Sequence, residues 1–444
     1  MTSQASSSHV TYRRVIGIAL PVVLSNATVP LQGAVDTAII GNLGDAVFLA
    51  AVTLASAAMA VMLQVFNFLQ FGSGALGAQA LGAGDHRRVI NVLARGLIIA
   101  FGLGVLLIVL QIPLLAMVLA IFEGSEGAES LASVYFRIRI WAAPAELGIF
   151  VLGGWFSGQE LTKRLFELQL VVSLTNIVLN LFLVLVLGMD VDGVALGTLI
   201  SMYLGLGFGL WRARRRIREL LPDWRPERAR LLNPQELGKL MRLNRDIFIR
   251  SILLVGAFAW MTRQGSTQGD VILAANGVLM QIVSVTIYAL DGFAIAAESL
   301  VGQAAGARNR AFLRRAVIVS TVSVLVLSLM LGLLMFVLQT PLTLLFSNVP
   351  EVREATTTYF FWAALFPFVG ALAFQLDGIF VGATETAALR NAMVVSTAGY
   401  LAISIWALDA HGNHGIWGAI WALLILRAVT LSALYPRLER RATA

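Results

Sequence analysis

Twelve long apolar stretches, parted by short polar ones, set out the plan of this chain. They lie at about 15–40, 47–70, 89–111, 131–157, 165–187, 193–211, 247–266, 271–295, 312–338, 355–381, 388–408 and 415–436. Each approaches the roughly 20 mostly apolar residues that a helix needs to cross the hydrocarbon of a bilayer. The runs are continuous instead of alternating, which excludes the strands of a membrane barrel. The pattern therefore predicts an all-α polytopic membrane protein with twelve transmembrane helices.

Basic residues decide the orientation, because cytoplasmic loops collect lysine and arginine. With the N-terminus inside, Arg137, Arg139, Arg263 and Arg353 fall at outer ends or loops, and Arg95, Arg250 and Arg427 fall inside spans. The other 25 of the 32 basic residues then face the cytoplasm. The outer loops are short and acidic, carrying Glu123, Glu126, Glu129, Asp190, Asp192, Glu351 and Glu354. Both termini are expected in the cytoplasm, and the bacterial inner membrane is the expected location. Composition agrees: 58% of the residues are hydrophobic and 13% charged, against about 25% charged in an ordinary soluble domain. The formal charge of +7 then reflects basic cytoplasmic loops, and no nucleic-acid partner is expected. Without cysteine there is no disulfide framework and no zinc–thiolate site. The polar start MTSQASSSHVTYRR gives no sign of a removable signal peptide.

One hydrophilic stretch, 212–246, interrupts the chain at its centre. It holds Arg212, Arg214, Arg215, Arg216 and Arg218 together with Pro222, Pro226 and Pro234. It is expected to be a basic cytoplasmic linker between an N-terminal lobe (1–211) and a C-terminal lobe (247–444), resting on anionic lipid headgroups.

The two halves repeat each other at an offset near 224 residues. Ala78-Gln79-Ala80 with Gly82-Ala83 matches Gly302-Gln303-Ala304 with Gly306-Ala307, and Leu49-Ala50-Ala51 matches Leu273-Ala274-Ala275. Gly154-Trp155-Phe156-Ser157-Gly158 matches Gly378-Ile379-Phe380-Val381-Gly382, and Pro144 pairs with Pro367 one residue off that offset. With six spans in each half the repeats share one orientation, giving two pseudo-symmetric six-helix bundles of the kind used by secondary transporters.

Ionisable residues inside a span cost about 2.5–3.5 kcal/mol on insertion scales and mark function by default. Five acids qualify: Asp36, Glu146, Asp291, Glu298 and Asp377. Against them stand three arginines, of which Arg95 and Arg250 are close enough to the cytoplasmic end to snorkel. Asp36 lies in the outer half of span one, after Pro21 and Pro30, and prolines free carbonyls and bend a helix. Asn176 and Asn180 share one face of span five. Depth along spans five and six brings Asn180 and Thr198 level with Asp36, with Asn176 a turn below. One carboxylate, two amides and a hydroxyl make a proton or hard-cation coupling site, and partial desolvation favours uptake of a proton by the carboxyl. Position 260, which matches Asp36 in the second half, is a tryptophan. The second half instead offers Asn276, Tyr288, Asp291, Glu298 and Asp377, a second polar cluster suited to a cationic substrate or a further proton. Glu298, near the cytoplasmic end, has pairing with an arginine as its plainer reading.

Other features carry little chemistry. His411 and His414 lie in an outer loop without a third ligand, so no metal site is expected. Gly74, Gly77, Gly82 and Gly84 lack the lysine and hydroxyl of a phosphate loop and are expected to allow close helix packing. There is no nucleophile elbow, metalloprotease helix or ATP-binding loop. No catalytic residue, enzymatic activity or cofactor is expected, and an ion gradient is left as the driving force.

The segments VPLQGAVDTAIIGNLG around Asp36, GAQALGAGD, TNIVLN with GVALGT, LNRDIFIRS, YALDGFAIAAESLVGQAAGARN and LDGIFVGATETAALRN resemble the multidrug and toxic compound extrusion (MATE) transporters, and within them the DinF branch. The likeness runs over nearly the whole chain. It implies two six-helix lobes arranged as a V and an antiporter that exchanges protons or sodium for organic cations. It also implies that Asp36 is the essential acid of span one, Asn176 the asparagine of span five and Thr198 the threonine of span six. Where the family often has an aspartate one turn after that asparagine, this chain has Asn180, which weakens a sodium site more than a protonatable carboxyl. The expected function is proton-coupled export of amphipathic organic cations, drugs or toxic metabolites by a monomer, with sodium as the alternative ion. A flippase of lipid-linked precursors is the alternative activity, but a diphosphate headgroup wants a basic cavity, and the spans hold five acids against three arginines.

Overall fold

The computed structural model describes residues 10–41, 46–121, 126–227, 231 and 233–443. Twelve long helices occupy the predicted spans: α1 (Tyr12–Gly41), α2 (Ala50–Gly82), α3 (His86–Val109), α4 (Gly127–Gly158), α5 (Thr162–Val186), α6 (Val191–Leu220), α7 (Pro234–Ser266), α8 (Asp270–Gly306), α9 (Arg310–Val337), α10 (Pro350–Gly382), α11 (Thr386–His411) and α12 (Asn413–Ala442). Ten of them are long and apolar enough to cross a membrane on length and composition alone. The other two are α1 and α7, and α7 carries several charged residues within the same helix. The protein is a multi-pass, all-α membrane protein. Large apolar side chains such as Val109, Ile112, Leu329 and Val337 stand exposed, as expected of a surface that faces lipid instead of water.

Contacts divide the chain into two units. One comprises Leu24–Met241, and the other Arg242–Ala444 with the described residues up to Val23. α1 thus belongs partly to each. Much of the 212–246 stretch is helical. Arginines are good helix formers, so α6 continues through the basic run to Leu220, and Pro234 opens α7 at the position where its missing N–H costs nothing. Glu227 and Leu231, between them, are held to the first unit. Arg95 donates from Nε to the Leu231 carbonyl (3.1 Å) and pairs with Glu236 (3.3 Å), while Arg87 pairs with Glu227 (2.8 Å). Arg95 is therefore buried against the segment that follows α6 and the start of α7. Glu123 and the side chain of Glu126, expected in an outer loop, lie outside the described residues.

The repeat read from the sequence is a repeat of geometry. Where α2 crosses α4, a Cβ added to Gly154 would stand 1.9 Å from the Gln70 carbonyl oxygen, and one on Gly158 2.3 Å from that of Gly74. Where α8 crosses α10, the counterparts Gly378 and Gly382 would meet the carbonyls of Ala294 and Glu298 at 2.1 and 2.4 Å. All four pairs keep the offset of 224. So do the helix caps: Asp85 accepts from the Arg88 N–H (2.8 Å) and Asn309 from the Phe312 N–H (2.9 Å). Left-handed residues follow suit, with Gly84 (φ 71°) matched by Arg308 (49°), Glu160 (60°) by Thr384 (58°) and Gly188 (67°) by Gly412 (56°). A side chain in that region costs energy, so the shared turn outlasts the glycine that suits it. Gly154→Ala is expected to destabilise the protein by about 1–3 kcal/mol, towards the upper end because backbone, not a flexible side chain, is in the way. Thermal melting in detergent reads this, and Gly378→Ala should match it.

Candidate functional site

Asp36 stands on the part of α1 that belongs to the first unit, half-buried. Asn180 on α5 donates from Nδ2 to Asp36 Oδ1 (2.7 Å) and lies 3.3 Å from Asn176 Oδ1. Asn176 in turn donates to Thr198 Oγ1 on α6 (3.0 Å), whose hydroxyl donates to the Val194 carbonyl (2.9 Å). The four residues singled out in the sequence thus form one continuous chain of hydrogen bonds across three helices. Both asparagines are fully enclosed. Asn180 Oδ1 is buried without a hydrogen-bond partner, an acceptor left over beside the carboxyl. The site depends on a glycine: a Cβ on Gly197 would fall 2.0 Å from Asn180 Oδ1. Gly197→Ala is expected to push Asn180 away from Asp36, with loss of transport and a stability change of about 1–3 kcal/mol. Parallel efflux and melting measurements separate the two effects.

Asp36 opens onto a cavity of about 480 Å³ walled by Met59, Phe150 and Met202 and by polar groups from α2, α4 and α6. Two of those polar groups were not foreseen as a pair. The sequence places Arg139 at the outer end of its span and Glu146 alone within it. In the structure Arg139 Nη2 donates to Glu146 Oε2 at 2.6 Å, and both line the cavity with Asp36. A 3-10 turn, Ile140–Ala142, separates the two helical segments that carry them. The seven-residue spacing, two turns on one face, was the available signal. Tyr135, buried, lines the same space.

The polar residues of the second unit do not form the single cluster expected. Asn276 and Asn413 exchange hydrogen bonds (2.7 and 3.0 Å), and the Trp417 indole donates to Asn276 Oδ1 (2.8 Å). This satisfied knot sits fifteen residues from Asp291 along α8, about 22 Å at the rise of a helix, so Asn276 is not part of the acidic group. Asp377 accepts from Arg250 Nη1 (2.7 Å), from Arg427 Nε (3.0 Å) and from Arg427 Nη2. Arg250 therefore does not snorkel. Its partner lies within the bundle, and a paired buried charge avoids the cost of an isolated one. Asp291, with Tyr288 a turn before it, lies within electrostatic reach of Arg250, Asp377 and Arg427. Glu298 is buried where α8 crosses α10, and among the described residues no arginine pairs with it. His414 accepts from the Trp362 indole (2.9 Å). Trp260 and Ser404, which match Asp36 and Asn180 at the offset of 224, are themselves hydrogen-bonded, indole to hydroxyl, at 3.0 Å.

Twelve helices in two repeated units, with a polar chain at a cavity inside one of them, are the construction of a membrane transporter and not of an enzyme. The MatE family profile matches residues 21–182 and 247–406. The chain is 36% identical to DNA damage-inducible protein F of Escherichia coli (strain K12), over 96% of this chain and 92% of that one. It is 28% identical to the probable multidrug resistance protein NorM of Deinococcus radiodurans, over 94% of both. Among solved structures, the outward-facing conformation of a multidrug resistance MATE family transporter of the MOP superfamily shares the fold, with a TM-score of 0.88 at 19% identity, covering 100% of this chain and 99% of that one. The chain belongs to the MatE family of transporters.

Proposed function

We propose that this protein is a proton-coupled antiporter of the bacterial inner membrane, with both termini in the cytoplasm, that exports amphipathic organic cations as a single chain. The observation that carries this reading is the Asp36 carboxyl, hydrogen-bonded to Asn180 at the edge of a cavity with an apolar wall. A carboxyl held there exchanges a proton as its surroundings change, and the apolar wall receives the body of a lipophilic ion. Protonation of Asp36 from outside releases the cation outward, and loss of the proton to the cytoplasm resets the site.

Sodium is disfavoured by the donors in place. A hard metal ion favours several converging charged oxygens, whereas Asp36 is the one carboxylate of this chain of hydrogen bonds and the residue beside it, Asn180, is a neutral amide. A flippase of lipid diphosphates is disfavoured by charge, since the cavity holds two carboxylates, Asp36 and Glu146, and one guanidinium, Arg139. The test uses purified protein in proteoliposomes loaded with ethidium, with pH and sodium gradients imposed separately. Efflux is expected with the pH gradient alone, and efflux that follows only the sodium gradient would sink the proton reading. Each charge moved is worth about 2.3 kcal/mol per 100 mV. One-for-one exchange of a proton for a monovalent cation should therefore ignore an imposed membrane potential.

A further inference from the structure

The Arg139–Glu146 pair faces the transport cavity, yet the coupling chain from Asp36 to Thr198 does not use it. Three facts set it apart from a structural ion pair at a helix end. It is held at 2.6 Å but lies in the wall of the 480 Å³ space that Asp36 also lines. The Arg139 guanidinium spends one arm on Glu146, while Nη1 is buried with no hydrogen-bond partner. That same guanidinium is within electrostatic reach of Asp36. Arg139 is thus bonded to one of the two carboxyls that line the cavity and within electrostatic reach of the other, with Tyr135 beside it.

We infer that Glu146 is the carboxylate that receives the charged group of the substrate, and that the incoming cation displaces Arg139 towards Asp36. This rests on the cation-antiport reading above and adds the relay that makes the exchange obligatory. With Asp36 protonated and no substrate, Glu146 and Arg139 cancel and the cavity is neutral. With the cation on Glu146 and Arg139 facing an ionised Asp36, it is neutral again. Holding both proton and cation leaves one positive charge in excess, and holding neither leaves one negative charge, each penalised in a partly desolvated space. The proton and the cation then exclude each other without ever touching the same oxygen. The charged and titratable groups around Asp36 that this scheme must satisfy are Tyr135, Arg139 and Glu146, all on α4. Asn180 and Thr198 contribute uncharged partners, and α2 carries no charged residue.

Calorimetric binding of tetraphenylphosphonium to the full-length protein in lipid nanodiscs, in acidic and alkaline buffer, separates this relay from simple competition at Asp36. Wild type should bind more tightly in alkaline buffer. Arg139→Gln removes the relay, so the cation should bind Glu146 whether or not Asp36 holds its proton, and the pH dependence should flatten. Glu146→Gln should weaken binding by about tenfold or more, equivalent to ~1.4 kcal/mol. The double variant, Arg139→Gln with Glu146→Gln, carries no orphaned charge and covers the case in which a single variant fails to fold. It too should bind about tenfold more weakly than wild type. Retained pH dependence in Arg139→Gln, or wild-type affinity in the double variant, overturns the relay and leaves Asp36 as the docking carboxylate. A wild type that shows no pH-dependent binding of the probe overturns the cation-antiport reading itself, and the relay with it.

Discussion

Asp36→Asn is expected to yield a protein that inserts, folds and melts like the wild type, but in which a pH gradient drives efflux no faster than leak from empty liposomes. The substitution preserves size and leaves an oxygen for the Asn180 Nδ2 donor that now meets Asp36 Oδ1 at 2.7 Å. What is lost is the exchangeable proton and the negative charge that its departure uncovers. Two measurements check it: melting of the purified variant, and efflux from liposomes carrying matched amounts of protein. Full gradient-driven transport by Asp36→Asn would remove the coupling role from this carboxyl. A variant that fails to melt cooperatively would show that the residue holds the bundle together instead.

The second large effect belongs to the other unit. Asp377→Asn should destabilise the protein by about 3–5 kcal/mol, the usual result of removing one partner from a buried charge pair. The carboxylate accepts from both Arg250 and Arg427. Without it two guanidiniums within the bundle are left with Asp291 as the nearby acid. Replacing all three members, as Arg250→Met, Asp377→Leu and Arg427→Met, should recover much of the loss, since apolar residues of similar volume often match a buried ion pair. Thermal unfolding in one detergent across the series checks both statements. A single variant as stable as wild type would show that water reaches the cluster.

The hydrogen-bonded chain from Asp36 to Thr198 was legible in the sequence because polar residues are rare in apolar spans and helix geometry is regular. Depth along a span put Asp36, Asn180 and Thr198 at one level, and the spacing of four put Asn176 beneath Asn180. The repeat was legible for a related reason: backbone-to-backbone crossings admit only glycine, so Gly154, Gly158, Gly378 and Gly382 keep their places in both halves. Most of what escaped depends on distance in the chain, the exception being Arg139 and Glu146, seven residues apart. Arg139 counted as an outer-end residue, yet the helix that carries it begins near Glu126 and places it far enough in to meet Glu146. Asn276 looked like part of an acidic cluster, but its partners, Asn413 and Trp417, come from a helix more than a hundred residues later. Arg250 was read as snorkelling because nothing in its own helix hints that Asp377 is waiting for it. Charge density marks the arginine run after span six as linker, whereas its helix propensity carries α6 on to Leu220.

Asp36–Asn180 and Trp260–Ser404 hold matching addresses in the two halves of the chain. Two halves made to one template place a hydrogen-bonded pair at the same address, but only one copy is written with an acid. The other is written with an indole, which cannot titrate in water's range. Duplication here doubled the scaffold without doubling the acid, so on the proton-antiport proposal that address has a single beat per turn however symmetric the frame around it.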